Sequence, residues 1–168
     1  MNSPEMRPKS EAATAKERVS AESKLEKKGK RVAFDLGEVQ MISDFEAQNK
    51  IVTSMKRELA TSKQEYEALA NSILRENLSP TMDDLARLEA VQKELTERYK
   101  ETLAGEKQRA ETLRQLAERN PQAHDLDYQV EASSVQASEK AFKKELERME
   151  KQKEEIVEII RERLFKKN

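Results

Sequence analysis

The sequence predicts an all-α protein: three long helices, folded as an antiparallel up-down-up bundle or drawn out as an elongated coiled coil, behind a disordered N-terminal arm. Three observations carry this. Large apolar residues recur every seventh position over two long stretches: Phe45, Val52, Leu59, Tyr66 and Ile73, then Tyr128, Val135, Phe142, Met149 and Ile156. The prolines fall outside those stretches, and the two interior ones sit beside capping residues, at Ser79, Pro80, Thr81 and at Asn120, Pro121. Charged residues make up 39% of the chain and aromatic ones 4%, which suits long solvated helices better than a globule with a wide apolar core. Seams this narrow cannot be satisfied by one helix in water, so each helix needs another against it.

Residues 1–37 read as the arm. Pro4 and Pro8 come early, no apolar rhythm follows, and nine Lys or Arg against five Glu over residues 1–33 leave it basic. Helix 1 is expected over residues 38–78, with Met55 and Leu69 between the heptad residues and Gln48 and Ser62 at the other two such positions. Helix 2 is expected over 79–119. Ser79 as N-cap with Pro80 in the first helical position is the favoured start, and Thr81 with Asp84 offers a second capping register. Its seam opens with Leu85, Leu88, Leu95 and Tyr99. Leu103, Ala110, Leu113 and Ala117 follow in a different phase, which predicts a stutter across Ala104 and Gly105. Asn120 and Pro121 stop helix 2, and helix 3 is expected over 125–166. Ala132, Leu146 and Ile160 fill its partner positions, with Glu139 and Lys153 interrupting. Residues 38–166 then form one helical trunk. The expected seam comprises Phe45, Val52, Leu59, Tyr66, Ile73, Leu88, Leu95, Phe142, Leu146, Met149 and Ile156. Short connections between helices of similar length favour antiparallel neighbours.

Several function classes find no support. The net charge is −1, so there is no global attraction to nucleic acid. The chain has no Cys, which removes disulfides and Cys-based zinc sites. No run of about 18 apolar residues exists to span a membrane, and residues 1–18 lack the apolar core of a secretory signal. His124 stands alone beside Asp125 and Asp127, too few groups for a catalytic dyad or metal centre. Glu145, Glu147, Glu150, Glu154 and Glu155 alternate with lysines, as solvated i,i+4 pairs do. Three scattered glycines cannot build a phosphate loop. No enzyme, cofactor or metal is expected.

One short stretch carries a resemblance. Lys28, Gly29, Lys30, Arg31, Val32, Ala33 and Phe34 resemble the RVxF docking motif of regulators of protein phosphatase 1. In that family an extended, basic-flanked segment adds a strand to the phosphatase sheet edge while Val and Phe fill two apolar pockets. Met41 and Ile42 resemble the paired apolar element that follows it. The resemblance implies partner contacts by Arg31, Val32, Phe34, Met41 and Ile42. Ser72, Ile73, Leu74 and Arg75 match the SILK pattern of the same family but fall in helix 1, where Ile73 belongs to the seam.

The expected function is a non-enzymatic coiled-coil scaffold or adaptor subunit, with a cytoskeletal assembly as one setting. It would be cytoplasmic or nuclear, and would join protein partners or further copies through its helical seams. One alternative is a regulator that docks protein phosphatase 1. Another is a nucleic-acid or membrane-surface binder using the basic arm and residues 161–167. If the arm docks the phosphatase, changing Val32 and Phe34 together to Ala abolishes its retention in a pull-down and leaves helix content unchanged. Retention by the double variant would end that assignment.

Overall fold

The computed structural model describes residues 35–167. The chain divides into two units at Gln40/Met41. Of the arm expected over 1–37, residues 1–34 lie outside the described residues. Helix α1 is Leu36–Asn71, closed by a π-helical turn at Ser72–Glu76; α2 is Met82–Arg119 and α3 is Pro121–Lys167. No strand occurs among the described residues.

Local chemistry sets each boundary. The Asp35 carboxylate accepts a hydrogen bond from the Gly37 amide at 3.0 Å, and the Asp35 carbonyl accepts from Val39 at 3.0 Å. These are contacts of a helix entry. At the other end of α1 the Asn77 amide donates to the Ser72 carbonyl at 3.0 Å, a step one residue longer than the α-helical one. Residues 72–76, expected to be α-helical, thus form a wider turn, with Ile73 buried and Leu74 half-buried.

Helix α2 uses the second capping register. Thr81 Oγ1 accepts from the Asp84 amide at 3.2 Å, and Asp84 Oδ2 accepts from the Thr81 amide at 2.9 Å, completing a capping box. Asn77 Nδ2 donates to the same carboxylate oxygen at 2.9 Å. Pro80 therefore stands before the helix, buried, rather than inside its first turn. Helix α3 begins four residues before its expected start. Asn120 ends α2 and caps α3, with Oδ1 accepting from the Ala123 amide at 3.4 Å. Pro121 takes the first helical position, where its missing N–H costs nothing and its fixed φ is already helical. The proline starts a helix here as well as ending one.

Contacts within the second unit define the topology. From α1 to α2, Glu58 meets Arg98, Lys56 meets Glu106 and Asn49 meets Arg109. Numbers fall on one helix as they rise on the other, so the two are antiparallel. From α2 to α3, Glu89 meets Lys153, Tyr99 stacks on Phe142 with centroids 5.1 Å apart, and Arg109 meets Glu131. This pair is antiparallel too. Asn49 and Glu131 meet through Arg109, and Tyr66 meets Gln152 further along both helices, so α1 and α3 run parallel. The arrangement is an up-down-up bundle.

The heptad seam of α2 runs without a stutter. Leu88, Gln92, Leu95, Tyr99, Thr102, Glu106, Arg109, Leu113 and Leu116 follow one another at alternating steps of four and three, and each is buried or half-buried. The apparent phase slip arises because the middle positions are polar. Gly105 marks a close approach: a Cβ there would lie 3.1 Å from Met55 Sδ and 3.2 Å from Val52 Cγ2 on α1. In α3 the seam steps three residues from Phe142 to Glu145, not four to Leu146. Leu146, expected in the seam, is 37% exposed. Glu145 can lie inside because the Arg148 guanidinium donates to it, Nε to Oε1 at 3.2 Å. Of the other expected seam residues, Val52, Tyr66, Ile73, Leu88, Leu95, Met149 and Ile156 are buried, while Phe45, Leu59 and Phe142 are half-buried.

The main apolar cluster occupies one half of the bundle, where Tyr66, Ala70 and Ile73 meet Leu85, Leu88 and Leu95 of α2 and Met149, Ile156 and Ile160 of α3. Leu88→Ala should therefore lower stability in urea denaturation by about 2–5 kcal/mol, and Leu146→Ala by about 1 kcal/mol or less. Equal losses would return Leu146 to the core.

Candidate functional site

The polar side chains inside the bundle form its candidate functional features, and they fall into successive levels. The central level joins all three helices. The buried Tyr66 hydroxyl donates to Gln152 Oε1, and Gln92 Nε2 donates to the Met149 carbonyl at 2.8 Å and to Tyr66 Oη at 3.4 Å. Burial, above all, pushes the Tyr66 phenol above its ordinary pKa, against the opposing hydrogen bond from Gln92 and the charge of Arg148. That guanidinium lies 5.9 Å from the Tyr66 ring centroid and also reaches Glu67 and Glu145, adding a cation–π contact to the level.

A second level lies towards the α2–α3 connection. Arg109, 8% exposed, donates through Nε to Glu131 Oε2 at 2.9 Å and through Nη1 to Asn49 Oδ1 at 2.7 Å. One guanidinium thus bridges α1 and α3 from α2, which suits its rigid fork of donors.

Between these levels lies a groove of about 300 Å³. Lys56, Leu59, Ala60 and Lys63 line it from α1, Tyr99, Leu103 and Glu106 from α2, and Ser138, Ala141 and Phe142 from α3. Glu106 is 2% exposed. Lys56 Nζ stands 3.0 Å from Glu106 Oε2, an ion pair between a half-exposed ammonium and a buried carboxylate. Lys63 hydrogen-bonds Tyr99, whose phenol is raised chiefly by burial and next by the charge of Glu145.

The expected docking residues fall elsewhere. Arg31, Val32 and Phe34 lie outside the described residues. Met41 and Ile42 are in α1, half-buried and 37% exposed respectively. Strand addition through them would need that turn to unwind. His124, expected in a connecting loop, lies in the first turn of α3, its amide donating to the Asn120 carbonyl at 3.1 Å. Among the described residues no group of three or more His, Cys, Asp or Glu could hold a metal ion, and no helix is long and apolar enough to cross a membrane. A search by apolar spacing alone misses Gln92, Glu106, Arg109, Glu145 and Gln152. Their signal is position: each falls on the continuing heptad whatever its side chain.

The central level makes a pH-dependent prediction. Tyr66 has a higher pKa folded than unfolded, so its contribution is complete below the unfolded value and is lost as pH rises through the folded one. Tyr66→Phe should cost about 1 kcal/mol at neutral pH and flatten the decline in stability above about pH 10, leaving the part due to Tyr99. Wild-type and variant curves that run parallel through that range would show that Tyr66 does not sit in a dry site. Comparisons of this chain with protein-family models, curated proteins and solved structures found no match, so a functional reading rests on the bundle's own residues.

Proposed function

We propose that this chain is a non-enzymatic helical scaffold or adaptor, which joins protein partners through apolar surface left uncovered on its bundle. The observation that carries the reading is the end where α1 finishes, α2 begins and α3 finishes. Leu78 is 94% exposed there, Met82 64%, Leu164 56% and Phe165 69%. Single exposed apolar residues are ordinary, but several large ones at one end of a narrow bundle mark an interaction surface. The seams support the same role. Their polar members pair with one another across the helices, which makes the trunk a rigid spacer rather than a reaction vessel. The absence of Cys suits a reducing compartment, the cytoplasm or nucleus.

The test is quantitative co-purification from native cells with wild type and with a variant carrying Leu78→Ser, Met82→Ser, Leu164→Ser and Phe165→Ser. Each site is exposed, so each change should alter folding stability by about 0.5 kcal/mol or less. The variant should lose stoichiometric partners while keeping its helix content. Unchanged recovery of every partner would sink the role of this surface, and recovery of none by wild type would sink the scaffold reading itself.

A further inference from the structure

We propose that the outward face of α3 between Leu126 and Ala141 is the interface for a second copy of this chain, whose α3 packs antiparallel on the first. This surface is apart from the bundle's end, and the inference does not rest on the scaffold reading. Residues 128–138 hold one charged side chain, Glu131, and it pairs with the buried Arg109 of α2. In a chain with 39% charged residues, the solvent side of a helix should carry several charges over about three turns. Here every exposed position in that stretch, Gln129, Val130, Ser133, Gln136 and Ala137, is uncharged. Leu126 is 76% exposed and Val130 62%. With the exposed Ser133, Ala137 and Ala141 they recur at helical spacing and form one stripe, about 22 Å long at about 1.5 Å per residue. An uncharged stripe with large apolar members is what one helix offers to another.

The occupant follows from how size and charge are distributed along the stripe. Its large residues lie at the start and its small ones in the second half. In antiparallel contact centred between Ser133 and Ser134, Leu126 of each copy faces Ala141 of the other, and Val130 faces Ala137. Large side chains then fill the space that small ones leave. Parallel contact would set Leu126 on Leu126 and Ala137 on Ala137, crowding one end and leaving voids at the other. Charge is divided in the same sense. Asp125 and Asp127 stand exposed at the start, and Lys140, Lys143 and Lys144 stand exposed at the end. Asp125 and Lys143 are about five turns apart, so both lie on one side of the stripe. In the antiparallel register Asp125 of each copy comes beside Lys143 of the other, whereas a parallel pair would bring like charges together. The patch is complementary to itself under a two-fold axis, the form of an isologous dimer. Such a patch needs no second kind of partner.

Sedimentation equilibrium of the full chain over about 1–500 μM should show monomer–dimer exchange with a Kd of about 10–100 μM, as suits a contact through one helix face. Ala137→Glu puts a charge at an exposed small position facing Val130 of the other copy. It should weaken dimerisation at least about tenfold and leave helix content unchanged. Asp125→Lys and Lys143→Glu should each weaken it too, because both cross-contacts of either homodimer then join like charges. An equimolar mixture of those two chains should recover wild-type association, because both cross-contacts of the mixed dimer join opposite charges. This recovery reads on two exposed sites and stands if Ala137→Glu misfolds. A wild-type chain that stays monomeric throughout, dimerisation untouched by Ala137→Glu, or a mixture that associates no more tightly than its components would overturn the interface. Dimerisation lost instead in the Leu78, Met82, Leu164 and Phe165 variant would move the contact to the bundle's end and overturn it as well.

Discussion

The bundle depends on polar side chains in its seams finding one another. With apolar residues at 36% of the chain, the three helices cannot fill their interior with hydrocarbon alone. Tyr66, Gln92 and Gln152 meet at one level, and Asn49, Arg109 and Glu131 at another. Each set takes one member from each helix. Sliding α1 by a heptad along the others would keep apolar residues facing inward at most positions. It would also strand the Tyr66 hydroxyl and take Asn49 from Arg109. An unpaired buried polar group costs about 1–3 kcal/mol, and a charged one more, a large share of the total stability of a domain. Apolar seams drive association here, while polar levels select the register, the role that single polar seam residues play in coiled coils.

The two kinds of contact are unevenly distributed. The apolar cluster runs from Tyr66 and Leu95 towards the α1–α2 connection, and there Pro80 is buried. The opposite half relies on Val52, Leu113, Leu116 and Ala117 together with Thr102, Glu106 and Arg109. Both grooves beside α1 open in this second half: the one next to Glu106, and another of about 290 Å³ lined by Gln48, Met55 and Gly105. Fewer apolar contacts and more polar ones mean a lower free energy of local opening.

Sequence reading reached the helices and their order, because heptads and capping residues are local signals, and held the antiparallel bundle as one of two arrangements. It failed where a residue's type and position disagree. Leu146 has the side chain of a core residue, but Glu145 has the position, and Arg148 makes that position tenable for a carboxylate. Thr102, Glu106 and Arg109 have core positions and surface side chains, so the α2 seam read as broken where it is continuous. Asn120 and Pro121 were legible as a boundary, yet the same pair that stops one helix caps and opens the next. In each case the deciding partner is distant in sequence or serves two elements at once, and spacing within one helix carries no record of it.

The same pairing explains why function was less legible than fold. A chemical motif advertises itself when polar residues gather without structural employment. Here most interior polar groups are occupied: Arg109 by Asn49 and Glu131, Arg148 by Glu67 and Glu145, Gln92 by Tyr66 and the Met149 backbone. What the seam does not consume is therefore informative. Glu106 is held in the interior against its desolvation cost, and the Lys56 ammonium, 3.0 Å from Oε2, offsets its charge. At the bundle's end Leu78, Met82, Leu164 and Phe165 remain outside the seam, as uncovered apolar surface.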